Sequence, residues 1–329
     1  MNNRRKLVIA LGASALAAPL GSFAQQAAKI PRIGYLSAVS AEFDKDRLLA
    51  FQQGLQDLGY VEGKNIVIEQ RYAAAKFDRF PELAQELARL KLDVVVVYGP
   101  PAAVNAIKKA SSSVPIVMTV APDPVGDGLV ASLAHPGGQV TGLSDLHSVL
   151  VPKRLEILKE LVPKASRFAV LTNPDNPTLL RQVKDIEAAA PTFGVTIQPY
   201  PVRGPEDIDR AFATMKKQRT DGILVLGDAV LGTRRRQIVD LSTKNRLPLI
   251  ATQKDTTNIG GLVSYGANFL ELWRRAATYV DKILKGTKPS ELPVEQPTRF
   301  ELVINLKTAK ALGIKIPNSI LVRADKVIE

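Results

Sequence analysis

An unbroken run of β-branched residues places the strongest constraint on how this chain folds. Residues 92–99 read LDVVVVYG, with four consecutive valines followed by tyrosine and glycine. A strand with one face in water alternates apolar and polar side chains, whereas a parallel strand covered by helices on both faces is apolar throughout. The run therefore predicts a buried strand of a parallel sheet, and such a sheet needs crossover helices between its strands.

The rest of the chain supplies those strands and helices. Apolar runs of strand length alternate with segments in which apolar residues recur at helical spacing, as Leu48, Phe51 and Leu55 do before Gly59. Strands follow one another at intervals of roughly 20 to 30 residues, which suits right-handed βαβ units. The pattern occurs twice, with about five strands in each half. It predicts an α/β fold with two doubly wound parallel-sheet lobes.

The first 28 residues are predicted to be an export signal that does not form part of the fold. A basic cluster at 4–6 precedes an apolar run at 7–20, and Ser22 and Ala24 occupy the two positions that a signal peptidase reads. A membrane-spanning helix needs about 20 apolar residues, which is longer than this run. We therefore expect a periplasmic protein, and the paired arginines leave twin-arginine and ordinary secretion both open.

Composition argues against several classes of protein. The chain has no cysteine, which excludes disulfides, thiolate metal sites and cysteine nucleophiles. Lys and Arg outnumber Asp and Glu by 44 to 32, but these basic residues are scattered and not interleaved with aromatic residues, so no nucleic-acid partner is predicted. Neither a dinucleotide fingerprint nor a Walker A loop occurs, so no cofactor is expected.

The chain has two histidines, His135 and His147, and neither stands beside a nucleophile motif. Zinc usually takes more nitrogen or sulfur ligands than this chain offers. No catalytic residue and no metal site is therefore predicted. A secreted enzyme, for example one resembling an α/β hydrolase, remains the alternative, while a repressor-type regulator would need a helix-turn-helix where this chain has its signal.

The segment MTVAPDPVGDGLV, residues 118–130, indicates where a ligand would bind. An apolar strand ends at Pro122, and Asp123 and Pro124 have the types preferred at the cap and the first position of a helix. Ligands of open parallel sheets bind beyond the carboxyl ends of the strands. A helix that begins at Pro124 would direct its positive end into the cleft and favour a carboxylate there.

The same criterion selects polar and small residues at the ends of the other strands. Hydroxyls, amides, one acid and one phenol around a helix N-terminus suit a small zwitterion or carboxylate. The predicted ligand-binding residues are Ser37, Ser40, Gly99, Ala121, Asp123, Thr141, Ser144, Asn173, Asp228, Gln253 and Tyr265.

Three longer segments carry a resemblance to a known family. They are residues 121–146 (APDPVGDGLVASLAHPGGQVTGLSDL), 171–177 (LTNPDNP) and 282–317 (from KILKGTKPSELPVE to ALGIKIP). With the signal, they resemble the ABC transporter substrate-binding proteins related to the tryptophan/tyrosine-type binding protein. The resemblance covers nearly the whole mature chain and implies the periplasmic-binding-protein type I fold, in which three hinge segments join two lobes around a ligand cleft.

The resemblance also implies an organisation and a function. Lobe one is expected to comprise residues 29–145 and 262–293, and lobe two residues 146–261 and 294–329. The protein would capture a small carboxylate or an amino acid, with aromatic ones included, by hinge closure. It would act as a monomer and deliver this solute to a membrane permease.

The chain departs from the family pattern near Asp228. Gly227 and Ala229 replace polar residues, and Gln253 stands where the family often has an acid. Asp228 itself can still pair with a ligand ammonium. With fewer polar groups around Asp228, a simpler carboxylate, aromatic ones included, is an alternative ligand to an amino acid.

Overall fold

The computed structural model describes residues 29–329, which contain two α/β lobes, each built around its own sheet. Lobe one has a five-stranded parallel sheet with the strand order β2-β1-β3-β4-β5. Its strands are β1 (Arg32–Ser37), β2 (Val67–Tyr72), β3 (Val94–Tyr98), β4 (Ile116–Ala121) and β5 (Val140–Ser144). The first three helices are α1 (Ala41–Asp57), α2 (Phe80–Ala88) and α3 (Pro101–Ala110).

Lobe two has a seven-stranded sheet with the order β12-β11-β10-β9-β8-β6-β7, in which only the β10–β11 pair is antiparallel among the described pairs. Its strands are β6 (Arg167–Thr172), β7 (Thr196–Pro201), β8 (Gly222–Val225), β9 (Leu249–Ala251), β10 (Val263–Ala267), β11 (Phe300–Asn305) and β12 (Lys326–Ile328). The remaining helices of the chain are α4 (Val151–Leu161), α5 (Pro177–Ala189), α6 (Pro205–Lys217), α7 (Ala229–Thr233), α8 (Arg235–Lys244), α9 (Lys254–Asn258), α10 (Phe269–Leu284), α11 (Leu306–Leu312) and α12 (Asn318–Arg323).

The valine run forms β3, the central strand of lobe one, as the sequence predicts. Its four valines are at most 1% exposed. Val95 and Val97 belong to a core cluster that also holds Val104 of α3. Val94 and Val96 belong to a second cluster that includes Trp273 of α10. Because successive side chains of a strand point to opposite faces, helices on both faces bury every residue of the run.

The chain passes between the lobes three times. The first crossing joins β5 to α4, and the second joins β10 of lobe two to α10, whose Trp273 is completely buried in the core of lobe one. The third crossing runs beside β5, where the backbone of Glu295 bonds to Gly142 and Ser144, and continues into β11. The predicted fold of two doubly wound lobes joined by three segments is confirmed.

Two details of the predicted organisation differ from the structure. The prediction places residues 262–293 in lobe one. Within this range, β10 instead lies between β9 and β11 in the sheet of lobe two. Lobe two also has seven strands, where the sequence suggested about five in each half. A short apolar run shows that a strand forms, but it does not show which sheet provides its hydrogen-bond partners.

The helices of residues 29–329 do not include one of the length and apolar character needed to cross a membrane. The longest, α1 and α10, bury one side and expose the other. Phe51 and Leu55 of α1 share a core cluster with Ala276 and Val280 of α10. These two helices therefore cover one face of the lobe one sheet.

Candidate functional site

A cavity, part of it open to solvent, lies between the lobes at the carboxyl ends of their strands. This is the place where open parallel sheets bind ligands. Its walls are formed by Tyr98, Gly99, Pro100, Pro101, Val120 and Pro122 of lobe one, by Asp145, His147 and Phe269 at the crossings, and by Asn176, Thr178, Gly227, Asp228, Ala229 and Gln253 of lobe two.

One side of this cavity is aromatic. Tyr98 ends β3 and Phe269 begins α10, and both rings pack against Trp273, with centroid distances of 4.9 Å and 5.8 Å respectively. Burial raises the pKa of Tyr98 to about 12, so its phenol stays protonated at neutral pH. We call Tyr98, Phe269 and Trp273 the aromatic wall. Such a surface suits an apolar or aromatic group of a ligand.

Lobe two contributes the carboxylate of Asp228 to the cavity lining. Its Oδ1 accepts hydrogen bonds from the backbone N–H of Val230 at 2.8 Å and from Asn173 Nδ2 at 3.2 Å. Its Oδ2 accepts one from Asn176 Nδ2 at 3.0 Å. Burial nevertheless raises the pKa of Asp228. The backbone N–H of Leu231 also bonds to this carboxylate. An ionised carboxylate in such a site attracts a charged donor such as an ammonium group.

A second acid lies beside a histidine at the first crossing. Asp145 Oδ1 accepts a hydrogen bond from the backbone N–H of His147 at 3.1 Å, and Oδ2 lies 3.0 Å from His147 Nδ1. Both residues are 2% exposed. The imidazole stacks on Phe269 at 5.4 Å between ring centroids. The other ring nitrogen, Nε2, has no hydrogen-bond partner within the described part of the chain.

Gly227 makes room for this histidine. A Cβ at position 227 would lie 2.5 Å from His147 Nδ1 and 2.7 Å from Cε1. Contacts this short require the ring to move. The glycine that departs from the family pattern is therefore needed for the observed position of His147.

The charge of the cavity wall is negative. Asp145 and Asp228 line it, and no Lys or Arg does so among residues 29–329. Arg47 does not line the cavity, but its guanidinium carbon lies 5.4 Å from the centre of the Tyr98 ring. Two acidic side chains in the lining favour a ligand that carries a positive group. This observation argues against the simple carboxylate suggested by the sequence.

A helix N-terminus does adjoin the cavity, but it is a different one from the helix predicted at Pro124. Residues 124–128 form turns, and Asp123 Oδ1 accepts a hydrogen bond from the N–H of Gly126 at 2.9 Å. Gly126 and Gly128 weaken a helix there, and Gly128 has φ of +66°. The predicted helix is therefore wrong, and Asp123 does not line the cavity.

The helix that does begin at the cavity is α3. Gly99, Pro100 and Pro101 line the wall, and no side chain of residues 29–329 caps the start of α3. The first N–H groups of a helix carry partial positive charge. Pro100 and Pro101 have no N–H group, and the N–H of Ala103 bonds to the carbonyl of Pro100 at 2.9 Å. The start of α3 therefore presents the positive end of a helix dipole to the cavity, without a set of free N–H groups.

The structure brings together some of the sequence-predicted residues. Gly99, Asp228 and Gln253 line the cavity. Asn173 lies behind the wall, where it orients Asp228. Gln253 Oε1 also accepts a hydrogen bond from Arg47 Nη2 of lobe one at 3.3 Å.

The other predicted residues of lobe one do not line the cavity and have local partners. Ser37 Oγ accepts from the N–H of Val39, and Ser40 caps α1. Thr141 donates to the carbonyl of Leu292 at 2.6 Å, and Ser144 Oγ accepts from the N–H of Leu146. Ala121 is buried at the end of β4. These contacts give the residues structural roles.

Tyr265 likewise lies outside the cavity lining. Its carbonyl accepts a hydrogen bond from Arg154 Nε at 2.8 Å, and its ring packs 6.1 Å from that of Phe300.

Sequence reasoning missed Asp145, His147, Asn176 and Phe269 as cavity residues. The criterion of strand ends could have found three of them, since Asp145 and His147 lie just after β5 and Phe269 lies two residues after β10. Asn176 lies farther from the end of β6, at the start of α5.

Direct contacts also join the two lobes beside the cavity. Thr178 Oγ1 donates to Asp127 Oδ1 at 2.9 Å, and Arg181 Nη2 bonds to the same oxygen. The carboxyl side chain of Asp127 is 2% exposed, while that of Arg181 is 42% exposed. Close to these contacts, Gln182 Nε2 donates a hydrogen bond to Ser148 Oγ at 3.1 Å. The lobes are therefore in contact on the side where α5 begins.

Comparison with proteins of known structure gives the same fold. A conserved domain protein of Vibrio cholerae is 26% identical, with a TM-score of 0.85 over 91% of this chain and 100% of that chain. A structure from Streptococcus pneumoniae, described as an ABC domain in complex with L-Trp, is 27% identical, with a TM-score of 0.83 over 91% of this chain and 99% of that chain.

Sequence comparison also finds related proteins. A tyrosine-binding protein of Clostridioides difficile is 28% identical over 265 residues, which are 80% of this chain and 76% of that protein. The family model for ABC transporter substrate binding proteins matches residues 36–328. Because this match spans nearly all of the described chain, the protein belongs to the family of ABC transporter substrate binding proteins.

Proposed function

We propose that this protein binds an aromatic amino acid in the interlobe cavity and delivers it to an ABC importer. The observation that carries the proposal is that the carboxylate of Asp228 and the aromatic rings of Tyr98 and Phe269 line the same cavity. The pneumococcal structure holds L-Trp and the clostridial relative is named for tyrosine binding, which supports the same class of ligand.

Each part of an amino acid has a suitable partner in the cavity. The ammonium group would pair with Asp228, since a charged donor meets a carboxylate there. The carboxylate would lie near the positive end of the α3 dipole, beside Gly99. The side chain would pack between Tyr98 and Phe269.

Family membership implies a small-molecule ligand and an ABC permease as partner. We propose that ligand binding stabilises a closed arrangement of the lobes and that the permease recognises this arrangement. The contacts of Asp127 with Thr178 and Arg181 support the proposed closed arrangement, because they join the two lobes beside the cavity. We further propose that the protein acts as a monomer.

We also propose export to the periplasm. The signal predicted at residues 1–28 lies outside the described residues, so the proposal rests on the sequence pattern and on the family. Sequencing the N-terminus of protein recovered from the periplasm tests it. A start near Gln25 is expected, whereas a retained Met1 would contradict export by cleavage of this signal.

A binding experiment tests the proposed ligand. Mature protein is unfolded and refolded to remove any bound ligand, and its melting temperature is then measured with each of the common amino acids and with aromatic acids that lack an ammonium group. A ligand that binds the native state raises the melting temperature by mass action. We expect aromatic amino acids to raise it and the acids without an ammonium group to have little effect. A larger effect of those acids would contradict the role of Asp228.

A further inference from the structure

We propose that Gln253 donates a hydrogen bond to the carboxylate of the ligand, and that Arg47 fixes Gln253 in the orientation that makes it a donor. This inference rests on the proposed function and names a residue that determines ligand specificity, together with a residue that positions it. It is carried by the place of Gln253, which lines the interlobe cavity while its side-chain oxygen is bonded to a buried guanidinium of the other lobe.

The guanidinium of Arg47 is held in place within lobe one. The Arg47 side chain is 5% exposed, and its Nη1 donates to the carbonyl of Phe43 at 3.1 Å and lies 3.8 Å from Asp44 Oδ1. Its guanidinium carbon lies 5.0 Å from the ring centre of Phe43 and 5.4 Å from that of Tyr98, within the range of cation–π attraction. Arg47 therefore presents a fixed donor, Nη2, to lobe two.

This donor determines how the amide of Gln253 is oriented. A guanidinium carries donors and no acceptor, so the amide atom that faces Nη2, at 3.3 Å, is Oε1. The reverse orientation would place the NH₂ group of Gln253 against the NH₂ group of Arg47, and neither could accept a hydrogen bond. The amide is therefore held with Nε2 on the branch that points away from Arg47.

That branch is the one available to the ligand. Gln253 lines both the interlobe cavity and a neighbouring cavity, whereas Arg47 lines only the second of them. Because Oε1 is bonded on the side of Arg47, Nε2 is left for the interlobe cavity. Nε2 donates to no acceptor among residues 29–329, and it is not one of the fully buried atoms without a partner, so a bound molecule can reach it.

The carboxylate is the ligand group that matches Nε2. An amide N–H needs an acceptor, and the charged acceptor of an aromatic amino acid is its carboxylate. Tyr98, whose ring lies against Arg47, directly precedes Gly99, so Arg47 links Gln253 to the part of the wall where α3 begins. A carboxylate placed there by the helix dipole lies on the side of Gln253, while the ammonium group pairs with Asp228.

The departure from the family pattern at position 253 then has a chemical consequence. An acid at this position would pair with Arg47 and present only acceptor oxygens to the cavity, which repel a ligand carboxylate. Glutamine keeps the bond to Arg47 through its oxygen and offers an N–H group in place of the second oxygen. The exchange of acid for amide therefore turns this part of the lining from an acceptor into a donor.

The Gln253→Glu variant distinguishes the donor role from a structural one. A purely structural role as a contact between the lobes predicts unchanged or tighter binding, because the glutamate gains an ion pair with Arg47. The donor role predicts about 10- to 100-fold weaker binding of L-Trp in isothermal titration calorimetry. Gln198→Glu, at an exposed position on β7, is the matched control for the added charge. Unchanged or tighter binding by Gln253→Glu, or an equal loss in Gln198→Glu, would overturn the inference and leave the proposed function intact.

A ligand pair tests which group of the ligand Gln253 meets. L-tryptophanamide carries a neutral amide in place of the carboxylate of L-Trp. The wild-type protein is expected to prefer L-Trp, and in Gln253→Glu this preference should fall at least 10-fold, because the glutamate repels the carboxylate and not the amide. An unchanged preference would contradict the assignment. If neither compound binds the wild-type protein, the proposed function is overturned and this inference with it.

The Arg47→Met variant tests the positioning role. Without Nη2 the amide of Gln253 can turn its oxygen to the cavity, so the preference for L-Trp over L-tryptophanamide is expected to fall several-fold, whereas a loss of stability alone would weaken both ligands equally. In the Gln253→Met background, Arg47→Met should leave the preference unchanged, and a further equal loss would contradict action through Gln253. Should Arg47→Met fail to fold, Arg47→Lys, which keeps a donor, is expected to retain the preference, and its loss there would contradict the role of Arg47.

Discussion

Arg154 Nη1 donates a hydrogen bond to the carbonyl oxygen of His147 at 3.2 Å. Its Nε donates to the carbonyl of Tyr265 at 2.8 Å. Arg154 lies on α4 of lobe two, His147 lies on the first crossing, and Tyr265 lies on β10 just before the second. One buried guanidinium therefore holds the backbone of two crossings, and burial lowers its pKa to about 10, which still leaves it charged at neutral pH.

Arg154→Met is expected to destabilise the protein by about 2–4 kcal/mol, because two buried carbonyls lose their donor while the side-chain volume is largely kept. Urea unfolding followed by circular dichroism measures this change. Arg203→Met is the control, since the Arg203 side chain is 62% exposed and its ion pair with Asp175 is on the surface. Equal stabilities of the two variants would contradict the role of Arg154.

The Asp127→Ala variant is expected to shift the ligand-free protein toward an open arrangement of its two lobes. It removes the acceptor of Thr178 and Arg181, so two of the contacts that join the lobes beside the cavity are lost. We expect a larger radius of gyration than in the wild type by small-angle X-ray scattering, and a ligand affinity lower by about 3- to 30-fold, because closure becomes less favourable. Asp175→Ala, which breaks an ion pair within lobe two, serves as the comparison. Identical scattering from all three proteins would count against closure through Asp127.

Gly142→Ala is expected to destabilise the protein by about 3 kcal/mol. Gly142 lies on β5 with φ of +130°, and a Cβ there would lie 2.2 Å from the carbonyl oxygen of Met118 on β4. Gly138→Ala, four residues earlier, places its Cβ in open space. Thermal unfolding should therefore show a large loss for the first variant and little change for the second, and similar melting temperatures would refute the argument.

Asp228 should make ligand affinity depend on pH. Burial raises the pKa of Asp228, so the carboxylate is protonated at a higher pH than an ordinary aspartate. Because a ligand ammonium binds the ionised form, affinity is expected to decrease as the pH falls through this raised pKa. Isothermal titration calorimetry at a series of pH values measures the ligand affinity.

Asp228→Asn provides the comparison for this pH dependence. At neutral pH the variant should bind aromatic amino acids about 10- to 100-fold more weakly, since a charged hydrogen bond is lost. As the pH falls, the ligand affinity of the variant should change less than that of the wild type. A steeper decrease in the variant would show that Asp228 does not bind the ammonium group.

The sequence predicted the parts of the site that depend on neighbouring residues. Asp228 follows a buried strand and caps the next helix, and both features can be recognised within a few residues. The prediction of a helix at Pro124 was wrong for a local reason as well, because Gly126 and Gly128 favour turns there. Asp145 and His147 satisfied the strand-end criterion, but the sequence did not show that they form a pair inside the cavity.

By itself, the sequence determined that the chain forms two parallel-sheet lobes, since runs such as Val94–Val97 are stable only when both of their faces are covered. The tertiary structure decided which lobe β10 joins, which helix begins at the cavity, and how Gly227 makes room for His147. These outcomes depend on packing and hydrogen bonds between residues far apart in the chain. Hydrophobic periodicity describes the environment of each segment, but it does not specify which distant segment supplies that environment.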